Sequence, residues 1–197
     1  MNKPAPEKLE KLRKALENFE SGDSGGGLFD EQLETEKSSV RSRALLLLDQ
    51  RGRSRQELRH RLLRLDFAPE IVDEVLDDLE RVRLIDDFAF AQEWVRQRHA
   101  AKGKSAAVLE QELVRKGVGE AARNQALEQV TAESEEEIAW KLARKKARSI
   151  KEIPQGRQEN DKVLRRVVGV LARRGFSMGV ALPVAKEAIS ERCQELS

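Results

Sequence analysis

Residues 51–62 read RGRSRQELRHRL, and residues 102–113 read KGKSAAVLEQEL. A shift of 51 residues lays Arg51-Gly52-Arg53-Ser54 on Lys102-Gly103-Lys104-Ser105. The agreement continues with Leu58 on Leu109, Leu62 on Leu113, Phe67 on Val118, Ile71 on Ala122, Val75 on Ala126, Leu76 on Leu127 and Leu79 on Val130. A shift of 109 brings a looser third copy, with Val167 on Leu58, Leu171 on Leu62, Phe176 on Phe67, Val180 on Ile71 and Val184 on Val75. In each copy apolar residues recur at i, i+4 on one helix. A Gly- or Asp-marked turn supplies one more, and the next helix repeats the spacing. Helices joined by turns this short pack against each other.

A further helix precedes each pair, over 40–50, 87–101 and 134–149. Interior Pro and Gly are scarce from Val40 onward, Ala, Leu, Glu, Arg and Lys are abundant, and no stretch alternates with period two. The expected fold is all-α: three tandem three-helix repeats over 40–87, 88–133 and 134–197, stacked into an elongated, curved array. Helix starts are marked by Ser54-Arg55-Gln56-Glu57 and Ser134-Glu135-Glu136-Glu137, both of capping-box form. Residues 1–39 stand apart as an acidic extension with a glycine run, expected to be flexible, with a short amphipathic helix over 8–19.

Composition narrows the function. Of 197 residues, 37% are charged against roughly a quarter in an average globular chain, which favours a shape with much surface. The net charge of +2 hides a separation. Residues 141–174 hold twelve Lys or Arg against Glu152, Glu159 and Asp161, whereas 70–87 hold eight acids against Arg81 and Arg83. With one cysteine, Cys193, no intramolecular disulfide forms. No segment reads as a signal peptide or membrane helix, so a cytoplasmic protein without membrane contact is expected. His60 and His99 lack the neighbours of a metal site and read as surface imidazoles. Of Asp86 and Asp87, either can cap the helix that follows, the other then facing water. No P-loop, dinucleotide fingerprint or nucleophile motif is present, and neither a catalytic residue nor a cofactor is expected.

Basic residues recur with the repeat. Arg51, Arg53 and Arg59 lie at and after the first turn. Arg96, Arg98, Lys102, Lys104 and Lys116 accompany the second copy, and Lys141, Arg144, Lys145, Lys146, Arg165, Arg166, Arg173 and Arg174 the third. On stacked repeats these residues would form a basic stripe suited to a phosphate backbone, whose neutralisation releases counterions. Each Arg taken singly also fits a solvated helix face paired with a nearby Glu. With no tyrosine, and with Trp94 and Trp140 read as core, DNA contact without sequence preference is expected. A transcription regulator with helix-turn-helix pairs is a second reading, although no helix gathers Arg, Asn and Gln on one face to read base edges. A pure scaffold that meets no nucleic acid is a third.

The same residues resemble a known family, the RecX regulators of the RecA recombinase. The likeness runs through Ala44-Leu45, Arg51-Gly52-Arg53-Ser54, Glu57-Leu58, Arg61-Leu62, Leu84-Ile85-Asp86-Asp87, Phe90-Ala91, Trp94-Val95 and Arg98. It continues in Gln111-Glu112-Leu113, Lys116-Gly117-Val118, Glu137, Ala139, Leu142 and Lys145-Lys146. The resemblance implies a non-enzymatic protein of DNA repair and recombination, and a monomer is expected. Such a protein lies along the groove of the RecA–DNA filament, suppresses ATP hydrolysis and strand exchange, and contacts single- or double-stranded DNA. Two departures stand out. Asp66 replaces a common Gly at the end of the second helix, and Ser105-Ala106-Ala107 replaces a more usual Gly-Pro-containing turn.

Overall fold

The computed structural model describes residues 26–197, with side chains from residue 31 onward. The short helix expected over 8–19 lies outside the described residues. Among the described residues there are nine helices and no strand. They are α1 (Gly26–Gln50), α2 (Arg55–Leu63), α3 (Pro69–Arg81), α4 (Asp87–Lys102), α5 (Ala106–Arg115), α6 (Glu120–Leu127), α7 (Ala132–Ala147), α8 (Gly156–Arg173) and α9 (Met178–Glu195). They fall into three sets of three, as the repeat requires. Among the described residues, no helix is long and apolar enough to cross a membrane.

The chain divides into two compact units. One gathers the described residues up to Arg51 with Leu58–Val82; the other gathers Gly52–Glu57 with Arg83–Ser197. In the first unit, Val40, Ala44 and Leu47 of α1 are buried, as are Leu58 and Leu62 of α2 and Ile71, Val72, Val75, Leu76 and Leu79 of α3. Helix α1 begins well before Val40, where the sequence reading placed its start. Its early turns are rich in helix formers, and Lys37 reaches α3 through a 2.6 Å ion pair with Glu74. Arg41 makes a longer contact of 3.4 Å with Asp78 one turn later.

The second unit holds two cores. Ala91, Val95, Leu109, Leu113, Val118, Ala122 and Ala126 form one between α4, α5 and α6. In the other, Ala139, Ala143 and Ala147 of α7 face Ala181, Ala185 and Ala188 of α9, small ridges that let the two helices approach closely, with Val167 and Leu171 of α8 completing it. The alignment drawn from sequence places its first two positions in the core of every repeat: Leu58, Leu109 and Val167, then Leu62, Leu113 and Leu171.

The end of each second helix is also shared. Asp66, Gly117 and Gly175 occupy equivalent places and all adopt left-handed backbone, with φ of 62°, 70° and 89°. A Cβ on Gly117 would lie 2.4 Å from Gln56 Cβ, and one on Gly175 would lie 2.2 Å from Val108 Cγ2. Both contacts are with the start of the preceding repeat's second helix. Asp66 belongs to the first of the three matched repeats, and among the described residues no repeat precedes it to press on it. It is exposed, and aspartate tolerates the left-handed region better than most residues.

Helix caps follow the sequence with one correction. Ser54 Oγ accepts from Glu57 N at 3.2 Å and Asp86 Oδ1 from Ala89 N at 3.0 Å, as expected. Helix α7 starts earlier than Ser134. Thr131 caps it, its hydroxyl accepting from Ser134 N at 3.2 Å, because a threonine followed by acids already meets the needs of a helix start.

Candidate nucleic-acid interface

Helix α8 is amphipathic with an unusual polar side. Val167 and Leu171 face the core, while Gln158, Lys162, Arg165, Arg166 and Arg173 follow one another at helical spacing on the other face. With Lys146 from the last turn of α7 they line a groove of about 670 Å³ that includes no carboxylate. Among the described residues, none of these five cations is ion-paired. The sequence reading singled out Lys146, Arg165, Arg166 and Arg173 but not Lys162, whose place four residues before Arg166 was the available signal.

The outer face of α7 is mixed. Lys141, Arg144, Lys145 and Arg148 share a surface groove of about 730 Å³ with Glu133, Glu136, Glu137 and Trp140. Lys141 and Lys145 are exposed. Arg144 is committed elsewhere, to both carboxylate oxygens of Glu191 at 2.8 Å each, with its guanidinium carbon 4.7 Å from the centre of the Trp140 ring. Hydrogen bonding in this fork raises the Arg144 pKa and lowers that of Glu191. Arg174 is half-buried, and its carbonyl accepts from Ser105 N at 3.0 Å.

The basic residues named in the first two repeats are placed differently. Arg53 is buried, with 5% of its surface exposed. Arg59 holds Asp73 through two hydrogen bonds of 2.6 and 2.9 Å, and Arg96 holds Glu93 through two of 2.8 and 2.6 Å. Arg51 and Lys102 are exposed. Arg98, Lys104 and Lys116 belong to one cluster in the second unit. The Glu112 carboxylate is 14% exposed. It accepts from the Trp94 indole N–H at 3.1 Å and from Lys104 Nζ, and Arg98 lies 3.6 Å away. Burial pushes the Glu112 carboxyl up, but Lys104, Arg98 and the indole together outweigh it and hold the group below its ordinary range. Lys116 pairs with Glu57 at 2.6 Å. The ammonium of Lys116 and the guanidinium carbon of Arg98 lie 4.0 and 3.8 Å from the centre of the Trp94 ring. Trp94, expected in the core, is half-buried: it packs on the second-repeat core and also serves two cations.

Three acids and a histidine read otherwise from sequence also join repeat to repeat. Asp87, read from sequence as either the helix cap or a side chain facing water, accepts the Arg55 main-chain N–H at 2.9 Å, and Glu135 accepts that of Ala106 at 2.7 Å. In both cases an acid at the start of one repeat satisfies an amide opening the second helix of the repeat before. Glu57 takes Lys116, as above. His99 is not a surface imidazole: Nδ1 lies 2.8 Å from the Lys104 carbonyl and Nε2 3.1 Å from Ser134 Oγ.

Comparison with known proteins agrees with this architecture. Three family models match in tandem: RecX, first three-helix domain, at residues 41–79; second, at 86–127; and third, at 133–184. A regulatory protein RecX of Corynebacterium efficiens is 55% identical over 192 residues, covering 96% of this chain and 91% of that protein. One of Amycolatopsis mediterranei is 40% identical over 145 residues, covering 74% and 80%. Among solved structures, a crystal structure of regulatory protein RecX superimposes with a TM-score of 0.71 at 27% identity, covering 83% of this chain and 79% of that one. The crystal structure of RecX from Lactobacillus salivarius, at 24% identity and a TM-score of 0.67, covers 79% and 97% and supports the fold alone. With three tandem repeats, the matched domains and identity across nearly its whole length, the chain belongs to the RecX family of regulatory proteins.

Proposed function

We propose that this chain regulates the RecA recombinase without chemistry of its own, binding the RecA–DNA filament along its groove and suppressing ATP hydrolysis and strand exchange. The observation that carries the reading is the α8 groove, where five cations gather with no carboxylate among the lining residues. Such a surface recognises phosphate by charge and carries no information about base sequence. Exposed Arg51, Lys102, Lys141 and Lys145 add candidate contacts in the three repeats, on DNA or on acidic recombinase surface. Family membership supports RecA as the target. Bridging successive filament subunits would resist the motions that hydrolysis and strand exchange need. The protein is proposed to act as a cytoplasmic monomer.

The test is RecA ATPase and strand exchange with the purified chain added at stoichiometric amounts, beside the Arg165→Glu/Arg166→Glu variant. Inhibition by the native chain and its weakening in the variant are expected. Unchanged ATPase and exchange would overturn the reading. A strong preference for one duplex sequence that survives high salt would instead favour a helix-turn-helix regulator.

A further inference from the structure

The groove on the outer face of α7 has a single wall among the described residues. All its lining residues belong to α7 or, in Arg148, to its C-terminal cap. Along that face the charges are sorted. Glu133, Glu136 and Glu137 occupy the first half and Lys141, Arg144, Lys145 and Arg148 the second, with Trp140 at the change of sign. Opposite charges four residues apart commonly satisfy one another along a helix. Here, among the described residues, Glu136, Glu137, Lys141, Lys145 and Arg148 have no ion pair. Arg144 is held by Glu191 through Nε and Nη2, which leaves Nη1 of its fork.

The sorting is also symmetric. Glu133 and Arg148 lie equally far from a point midway between Trp140 and Lys141, and so do Glu136 and Lys145, and Glu137 and Arg144. A face whose two halves match in spacing and oppose in sign is complementary to itself turned end for end, which is the operation of a two-fold axis. A second α7 laid antiparallel sets the acids of each helix over the bases of the other. Trp140 and Lys141 then meet their counterparts beside the axis, where an aromatic face and a cation attract. A parallel second helix would set acid on acid and base on base. We propose that this face docks a second copy of the chain, α7 against α7 and antiparallel. A helix of 16 residues offers less than the roughly 1,200–2,000 Å² that a stable interface buries, so the pair is weak and gives way to the single chain on dilution. The single chain remains the acting form proposed above, and the pairing does not depend on that proposal.

Sedimentation equilibrium of the full chain over a concentration series at low salt tests the pairing. The mass is expected to rise from 22.3 kDa toward twice that value, and to fall back at about 0.5 M salt, where exposed charges are screened. The variants Glu136→Lys/Glu137→Lys and Lys145→Glu/Arg148→Glu alter exposed side chains only, and circular dichroism checks that each keeps its fold. Each variant alone is expected to associate about tenfold more weakly than the native chain, because the symmetry makes every substitution count twice. An equimolar mixture of the two is expected to associate more tightly than either alone, since the bases introduced in one then meet the acids introduced in the other. A mass of one chain at every concentration overturns the proposal and leaves the face to a different partner. Association that both variants retain overturns it by placing the contact elsewhere. Weakening in both without recovery in the mixture overturns the antiparallel pairing.

Discussion

The hydroxyl of Ser54 donates a 2.6 Å hydrogen bond to the main-chain carbonyl of Lys116, 62 residues along the chain. The next repeat offers a variation on it, since Ser105, equivalent to Ser54, donates its main-chain N–H to the carbonyl of Arg174 at 3.0 Å. Lys116 and Arg174 are themselves equivalent, each standing before a left-handed glycine. The serine that opens one second helix is thereby tied to the carbonyl that ends the second helix of the following repeat. Ser54 and Ser105 are both buried, so these polar groups need the partners they have.

Ser54→Ala removes the cap of α2 and leaves the Lys116 carbonyl without this donor. Losing a cap costs about 1 kcal/mol, and leaving this partly buried acceptor unpaired costs about 1 kcal/mol more, the low end for a stranded group. Urea denaturation should show a lowered midpoint of corresponding size. A midpoint unchanged from the native chain would mean that the contact contributes nothing to folding.

Gly117→Ala and Gly175→Ala should each destabilise more than a typical surface change. Left-handed backbone costs a residue with Cβ roughly 1–2 kcal/mol, and the added methyl would meet Gln56 or Val108 inside contact distance. Asp66→Gly, at the equivalent place in the first repeat, should shift stability by no more than about 0.5 kcal/mol, as exposed positions usually do. Thermal melts of the three variants check the contrast. Equal losses at Asp66 and Gly117 would contradict the account of why only the first repeat carries a side chain there.

Stability should fall in acid partly through Glu112. Its carboxyl is held below the ordinary glutamate value of about 4.3 by Lys104, Arg98 and the Trp94 indole, against the upward push of burial. The stabilisation is therefore complete above that value and is lost as pH falls through the lower folded one. Glu112→Gln should be less stable at neutral pH by about 1–3 kcal/mol, because Lys104 and Arg98 lose their counter-ion. It should also show a shallower decline between neutral and acid pH. Denaturation midpoints across a pH series measure both effects.

The repeat was legible in the sequence because each core position is set locally. Leu58, Leu109 and Val167 sit at the same phase of an i, i+4 pattern, and that pattern alone puts them inside. The left-handed place of Asp66 was legible through the resemblance, which sets it where a Gly is common, rather than through the apolar pattern. The pairing of charges was not. Glu57 and Lys116 are 59 residues apart, and nothing near either names the other. Glu112 draws Lys104 and Arg98 out of the basic stripe only when α4 and α5 pack. Helix α1 runs earlier than expected, and no local pattern signals the contact that Lys37, ahead of Val40, makes with Glu74 of α3. Local rules located the helices, and the contacts between helices decided which cations remained available.

That distinction predicts how binding to DNA responds to salt. Each phosphate neutralised contributes roughly −0.9 to the slope of log K against log salt concentration on duplex DNA, and about −0.7 on a single strand. Lys146, Arg165 and Arg166 line the carboxylate-free groove, so charge removal at each, as in Arg165→Gln, should weaken binding alike on all sequences and make the slope shallower by about 1. Lys116 is already held by Glu57, and Lys104 by Glu112, so neither is placed to neutralise a phosphate and release the counterion condensed on it. Lys116→Gln should lower stability while leaving the slope as it was. Fluorescence anisotropy over a salt series, with urea denaturation of the same samples, separates the two classes. A Lys116 variant that changed the slope as much as an Arg165 variant would place the phosphate contacts across the repeat junctions rather than in the third repeat.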